Sequence, residues 1–529
     1  MRIVLYFYAN IIAMNRREFI VGVAMAFALA AEAKIELGTP FADGMVLQRG
    51  MKVPVWGKAE PGRKVTVEFA GNEVSTVACP DGCWKVKLPA MCASKESRTL
   101  AVTERESGWL WDTALDTVEI RDVLVGEVWF CSGQSNTECP IWGSNPHYRD
   151  GQGATVIQMT VKPNVRVVKM ERCASATPRT GYRATWRKMT PQTLYWDGKG
   201  MPPSAMGYYY ALELANALDI PIGLLDSSWG GTGIDAWTPP SGYEGLESLK
   251  DIAALPTLDE KAFVEARTNG VYKGTYGHGA WHQQPSALWN GMVAAFAPMA
   301  IRGFIWYQGC HNAGEAQRYC DKMHALYNGW AKEFANPDLK LYFAQLAPYG
   351  NGWYAMDLAQ AKFEREEKNA AMAIINDVGC LTDIHPNDKR TVAKRLALHA
   401  LKRDYGFDWI VDNSPTLRSW KVEGDKFVLS FNDAKEWYLY NPDWSVTNGF
   451  EVCGTNGVWT AATIENLQGA EEAGRIHGNC RGQISGADLV ISAKGVDEPV
   501  KLRYLFRKPW KGNLYSEFAL PLGAFEVEK

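Results

Sequence analysis

The chain has 529 residues, 47% of them apolar, more than a single hydrophobic core usually organises, so two or three globular domains are expected. Its 56 basic and 59 acidic side chains give a net charge of -3, which excludes the electrostatic footprint of a nucleic-acid or anionic-membrane binder. An aromatic content of 12%, including 21 Trp, fits sugar-stacking platforms and β-sandwich cores alike.

The start of the chain reads as a targeting segment. Arg16 and Arg17 precede an apolar run from Phe19 to Ala31, and Ala31-Glu32-Ala33 has the small-x-small form that signal peptidases cut. The expectation is a signal peptide over residues 1–33, with Met14 able to serve as initiator, and export to the periplasm or the cell exterior. The run is too short and too rich in Ala to span a membrane, and no later stretch reaches the roughly 18 apolar residues that a spanning helix needs. Eleven cysteines in an exported chain permit disulfides, and the odd count leaves at least one thiol over. Cys79-x3-Cys83 and Cys131-x7-Cys139 match no paired zinc knuckle.

From residue 34 to about 120, segments such as Val53-Pro-Val-Trp-Gly57 and Lys64-Val-Thr-Val-Glu-Phe69 alternate in polarity and are separated by Pro61-Gly62, Gly71-Asn72 and Asp81-Gly82. That texture predicts a β-sandwich-like module. From 121 to 405 strands alternate with helices. Strands are expected at Val123–Phe130, Ile222–Leu225, Ile301–Tyr307, Lys340–Leu346 and Ala371–Asn376, and helices at Gly207–Leu218, Ala316–Phe334 and Lys389–Tyr405. Such alternation predicts an α/β domain with a parallel sheet covered on both faces. Residues 406–529 return to strand and turn, a second β module.

In a parallel α/β sheet the ligand site lies beyond the carboxyl ends of the strands. Gly133-Gln134-Ser135-Asn136 follows the first strand, Ser227-Ser-Trp-Gly-Gly-Thr232 the second, Trp306-Tyr-Gln308-Gly309 the third, and Asp383-Ile-His385-Pro386 stands before the last helix. A serine hydroxyl attacks an ester only when an oriented imidazole takes its proton, and His385 can be that base. The developing oxyanion needs donors, each worth about 3–4 kcal/mol. The N–H groups of Ser135 and Gly230, with the side-chain amide of Gln308 or Asn312, are the candidates, and Gln134, Asn136, Trp229 and Trp306 are candidates for holding substrate.

These four blocks, in this order, resemble the sialate O-acetylesterases of the SGNH hydrolase superfamily. Asp43-Gly-Met-Val-Leu-Gln48, Asn290-Gly-Met292 and Asn513-Leu-Tyr-Ser516 extend the resemblance over nearly the whole chain after residue 33. It implies a three-layer SGNH-like α/β/α hydrolase domain, with Ser135 as nucleophile, His385 as base and acid, and Gly230 with Gln308 in the oxyanion hole. It also implies removal of acetyl groups from carbohydrate, above all O-acetylated sialic acid, with no metal or organic cofactor. Asp383 stands two positions before His385 where the superfamily has its aspartate three before, so Asp377 and a backbone carbonyl remain rivals for orienting the imidazole. Cys310 and His311 replace the usual Glu and Ser of the third block, and Thr137-Glu138-Cys139 replaces Met-Glu-Trp after the serine.

Plainer readings stand beside these. Ser135 suits a turn or a helix N-cap, His385 a polar pocket, Gly230 and Gly231 a tight turn, and Gln308 the pairing of buried backbone. Cys310-His311 supplies too few ligands for a metal and lacks the base and oxyanion hole of a thiol nucleophile. In Asp383-x-His385-x2-Asp388, the last carboxylate suits a helix N-terminus for dipole reasons alone. His147, His278, His282, His324, His399 and His477 read as surface or packing residues. Trp229, Trp237, Trp281, Trp306 and Tyr307 divide between a sugar cleft and the core. Acetylxylan or another glycan ester is the alternative substrate, and a carbohydrate-binding protein without catalysis is the alternative class.

Overall fold

The near-continuous apolar run Val123–Phe130 is the pattern of a strand covered on both faces. In the structure, a computed structural model, it lies within β1 (Trp111–Gly133). The structure describes residues 35–108, 111–142, 149–159, 161–180, 184–194, 202–255, 261, 281–350, 353–379, 381–440, 449–469, 480–506 and 511–529. The expected signal segment, with Arg16, Arg17 and Ala31-Glu32-Ala33, lies outside these residues, as do His147, His278 and His477.

Six further strands form the main path of the sheet with it: β2 (Lys162–Lys169), β3 (Arg187–Met189), β4 (Ile222–Ser228), β5 (Gly303–Tyr307), β6 (Lys340–Ala344) and β7 (Ala370–Ala373). Their order is β3-β2-β4-β1-β5-β6-β7. Every pair along it is parallel except β3 with β2. The expected all-parallel sheet is therefore mixed. A parallel return needs a crossover, usually a helix, and the described residues between β2 and β3 contain none.

Trp129 and Phe130, adjacent on β1, point to opposite faces of the sheet. On one side Trp129 meets Tyr210 of α2 (Ala205–Leu218) and Tyr342, whose ring stacks on His399 of α5 (Lys389–Tyr405). On the other, Phe130 and Phe304 meet Trp330 of α3 (Ala316–Glu333), and Phe343 meets Phe363 of α4 (Tyr354–Glu366). Helices thus cover both faces. A short helix, α1 (Ser135–Glu138), follows β1 directly. The start of α5 is capped by Asp388, whose side chain accepts from the Thr391 N–H, and its end by Gly406 in the left-handed region. Asp388 is thereby accounted for as a cap.

Short of its carboxyl end, β1 is fixed by charge. Glu127 is fully buried and accepts from Gln48 Nε2 at 2.8 Å, Arg49 Nε at 2.5 Å and Arg302 Nε at 3.1 Å.

The described residues divide into two compact units, the first made of those within 35–38, 54–88 and 99–119 and the second of the remainder. In the first, Cys83–Leu88 alternates exposed and buried residues, with Trp84, Val86 and Leu88 inward, and Lys64–Phe69 pairs antiparallel with Asn72–Val77 and Ser94–Gly108. The second holds the seven-stranded sheet and the antiparallel strands after Thr416, which enclose a core including Phe427, Leu429, Trp437, Ile484 and Leu502. Within it, Asn376 Nδ2 donates to Leu522 O at 2.7 Å and Tyr515 OH to Asp377 Oδ2 at 3.1 Å. These bonds join the C-terminal strands to the loop after β7.

Candidate active site

Three central strands end at one level. Gly133 of β1 stands opposite Ser228 of β4 and Tyr307 of β5, so the first three blocks leave the same rim. Gly133 has φ +140°, and a Cβ there would lie 2.4 Å from Tyr307 O, so only glycine lets the chain turn into α1 here. Ser135 is the first residue of α1 and part-exposed. Gly230 approaches so closely that an added Cβ would stand 3.2 Å from Ser135 Cβ. The fourth block is tied to the first by Asn136, whose Nδ2 donates to Ile384 O at 3.0 Å. The neighbour of Ser135 is thus bonded to the neighbour of His385.

His385 is half-buried and lines a cavity of about 560 Å³ with Asp377, Thr382, Asp383, Asn387 and Lys511. Burial lowers its pKa below the usual imidazole value, the Lys389 charge lowers it further, and Asp383 opposes both. A neutral ring, able to take a proton, is favoured. Asp383 Oδ1 accepts the His385 backbone N–H at 2.9 Å and stands 3.6 Å from His385 Nδ1. Asp377, the rival, is committed elsewhere: both its oxygens accept from Arg395, at 2.6 and 2.7 Å.

The structure gives several of the remaining candidates different work. Trp306 is fully buried, edge-on to Trp237 in the core, and cannot touch substrate. Gln308 is also fully buried: its Nε2 donates to Thr232 O and Asn312 Oδ1, and its Oε1 accepts from Tyr319 OH. The Asn312 amide is equally occupied, Oδ1 accepting from the Ile234 N–H and Nδ2 donating to Glu315 Oε2. Neither side chain is aimed at an oxyanion; their amides close the loop after β5 on itself. The Gly230 N–H donates to Glu138 Oε2 at 2.9 Å rather than into open space. Gln134 is nearly buried, and its Oε1 accepts from the Gly309 and His311 N–H groups, while Asn136 is buried between Ile384 O and Lys389 Nζ. Both are braces rather than substrate contacts. Of the four substrate candidates Trp229 alone is part-exposed: it stacks on His282 at 4.6 Å, with Trp281 at 5.9 Å and the Arg172 guanidinium 5.7 Å from its ring.

Sequence reasoning missed four contributors. Glu138, buried, bridges Gly230 N–H and Arg172 Nε. Glu315 braces the loop after β5, accepting from Asn312 at 2.8 Å and from buried Lys322 at 2.7 Å. Lys389 is fully buried, and its ammonium donates to Asn136 Oδ1 at 2.6 Å. Its position at a helix start gave no sign of burial. Gln283 holds the glycine turn, accepting from the Gly233 N–H and donating to Gly231 O. Burial pushes the Cys310 thiol up to about 12, so it is no nucleophile at neutral pH.

A family model described as carbohydrate esterase, sialic acid-specific acetylesterase matches residues 273–401. That span includes Gln308 and His385 but not Ser135. The chain is 27% identical over 426 residues to a human sialate O-acetylesterase, covering 73% of this chain and 75% of the relative. A sialate O-acetylesterase from Rattus norvegicus is 27% identical over 410 residues, covering 68% and 72%. Among solved structures, a carbohydrate acetylesterase from Xanthomonas citri superimposes with a TM-score of 0.74 at 27% identity, over 94% of this chain and 100% of the other.

Proposed function

Since this chain is a carboxylic ester hydrolase belonging to the carbohydrate esterase family of the sialic acid-specific acetylesterases, we propose that it deacetylates sugars through an acetyl-Ser135 intermediate. The observation that carries this reading is the Asn136–Ile384 hydrogen bond, which draws the serine turn and the histidine loop to one rim.

His385 takes the Ser135 Oγ proton as Oγ attacks the acetyl carbonyl, and the carbonyl π pair moves onto oxygen. The backbone N–H of Ser135, at the first turn of α1, faces that charge. Collapse expels the sugar oxygen, which takes the proton from His385 and leaves acetyl-Ser135. Water then repeats the sequence and releases acetate. Asp383, beside Nδ1, stabilises the imidazolium and turns Nε2 toward the serine. The domain is of the SGNH type, and the protein acts after export, in the periplasm or outside the cell.

O-acetylated sialic acid is the substrate we favour over acetylxylan. The wall beside Gly230 joins an aromatic face, Trp229 and Trp281, to the Arg172 guanidinium, whose side chain is 42% exposed. An apolar sugar face and a carboxylate fit that pair, whereas xylan backbone carries no acid. Acetate release from O-acetyl sialic acid and from acetylated xylan, with wild type and Ser135→Ala, tests both parts. Loss of all release in the variant is expected. Full activity in Ser135→Ala would remove the acetyl-enzyme, and preference for xylan would remove the sialate assignment.

A further inference from the structure

Outside the rim, α3 and α4 bring together three side chains that suit a cation. Cys320 and His324 stand at i and i+4 on α3, so both leave the same helix face. Glu366 is the last residue of α4. Glu366 Oε2 lies 3.3 Å from Cys320 Sγ and 3.1 Å from His324 Nε2, and the three ligand atoms all fall within 4.8 Å of one another. Tetrahedral zinc, with bonds of about 2.0–2.3 Å, sets its ligand atoms about 3.3–3.6 Å apart. Two of the three edges already approach that spacing. The His324 ring packs edge-on to Phe363 at 4.8 Å, which holds the imidazole in place.

We propose that Cys320, His324 and Glu366 form a structural zinc site that clips α3 to α4, with water as fourth ligand. The donor set selects the ion: a thiolate disfavours Mg²⁺ and Ca²⁺, and the thiolate-imidazole-carboxylate combination suits Zn²⁺. One thiolate and one carboxylate neutralise the dication. Without metal, Cys320 Sγ donates to Glu366 Oε2 and His324 Nε2 pairs with the same oxygen, and a bound ion would replace both contacts. Binding breaks the S–H bond, forms S–Zn and releases the proton to solvent, so affinity rises with pH. Cys320 is buried, His324 part-exposed and Glu366 exposed, which leaves an entry path and room for the water. The position gives the clip a use: Tyr319 and Lys322, on the same helix, hold Gln308, Glu315 and Asp235. Fixing α3 against α4 fixes the supports of the loop after β5.

Cobalt titration of the full chain, stripped with chelator, tests this, with exposed Cys79, Cys83 and Cys92 changed to Ser in every protein used. Co²⁺ is expected to give a thiolate-to-cobalt band in the near ultraviolet and visible bands of tetrahedral intensity, saturating at one equivalent and bleached by Zn²⁺. Cys320→Ser should abolish the near-ultraviolet band and His324→Gln should weaken binding at least about tenfold, with circular dichroism confirming that both fold. Zn²⁺ should raise the Tm of the unmutated site and leave Cys320→Ser unmoved, while hydrolysis of 4-nitrophenyl acetate stays within twofold. Absence of the band, its persistence in Cys320→Ser, or an unchanged titration in His324→Gln would each overturn the site.

Discussion

Two loops leave the same sheet edge and are built in opposite ways. After β5, Gln308, Asn312 and Glu315 are bonded to one another and to Thr232, Ile234, Tyr319 and Lys322, and the first two are buried. Before α5, Asp383 and His385 are part-exposed and line a cavity, and Asn136 bonds Ile384 O between them. Polar residues after a strand therefore do two kinds of work. Those paired among themselves support the loop; those facing a cavity are the ones to which the proposed chemistry falls. Mutations in the first loop should act on stability, and those in the second on rate.

The sharpest break in that comparison comes from the reacting pair. Ser135→Ala or His385→Ala should lower kcat for 4-nitrophenyl acetate at least about 10³-fold, with little change in Tm because both side chains are part-exposed. Gln308→Ala should do the reverse. It removes the partner of Thr232 O and one bond each from Tyr319 OH and Asn312 Oδ1 in a buried place, costs about 2–4 kcal/mol, and should lower the urea midpoint more than it lowers kcat of the folded fraction. A third experiment sharpens the contrast through pH. Lys389 depresses the His385 pKa, and the base works only when neutral. Lys389→Met should therefore raise that pKa, move the acid limb of kcat/KM to higher pH, and cut the plateau about tenfold by releasing Asn136. Asp383 raises the same pKa, so Asp383→Asn should move the limb to lower pH; a shift in the same direction for both variants would contradict this arrangement. The smallest effect belongs to the wall: Trp229→Ala should raise KM for a sugar ester about three- to fivefold, by loss of stacking area, and leave 4-nitrophenyl acetate unaffected.

Much of the α/β architecture was legible in the sequence. Helix α5 announced itself by Asp388 at its start and Gly406 after its end, and β4, β5 and β6 by apolar runs of strand length. Helix α4 did not, since Trp353 before it makes no side-chain cap. Strand β2 carries Pro163, a residue that argues against a strand interior, and β3 has only three residues. At the rim, residue type brought Ser135, Asp383 and His385 toward one edge but gave no sign that Gln134, Asn136, Trp306, Gln308 and Asn312 are buried. Sequence position says which residues reach the edge; only the pairing of buried amides, a tertiary property, says which are committed to support. Lys389 was invisible for the same reason, because a lysine in a first helical turn ordinarily reads as solvated.

Glu127, held between Gln48, Arg49 and Arg302, acts at a distance on everything above. It sits about 20 Å below the end of β1, at roughly 3.3 Å per residue. In a sheet, a slip of one residue turns every side chain to the opposite face. A buried carboxylate that tolerates only one set of partners forbids that slip. It works as a depth stop, and the height at which the serine emerges is set by an ionic anchor a few residues down its own strand.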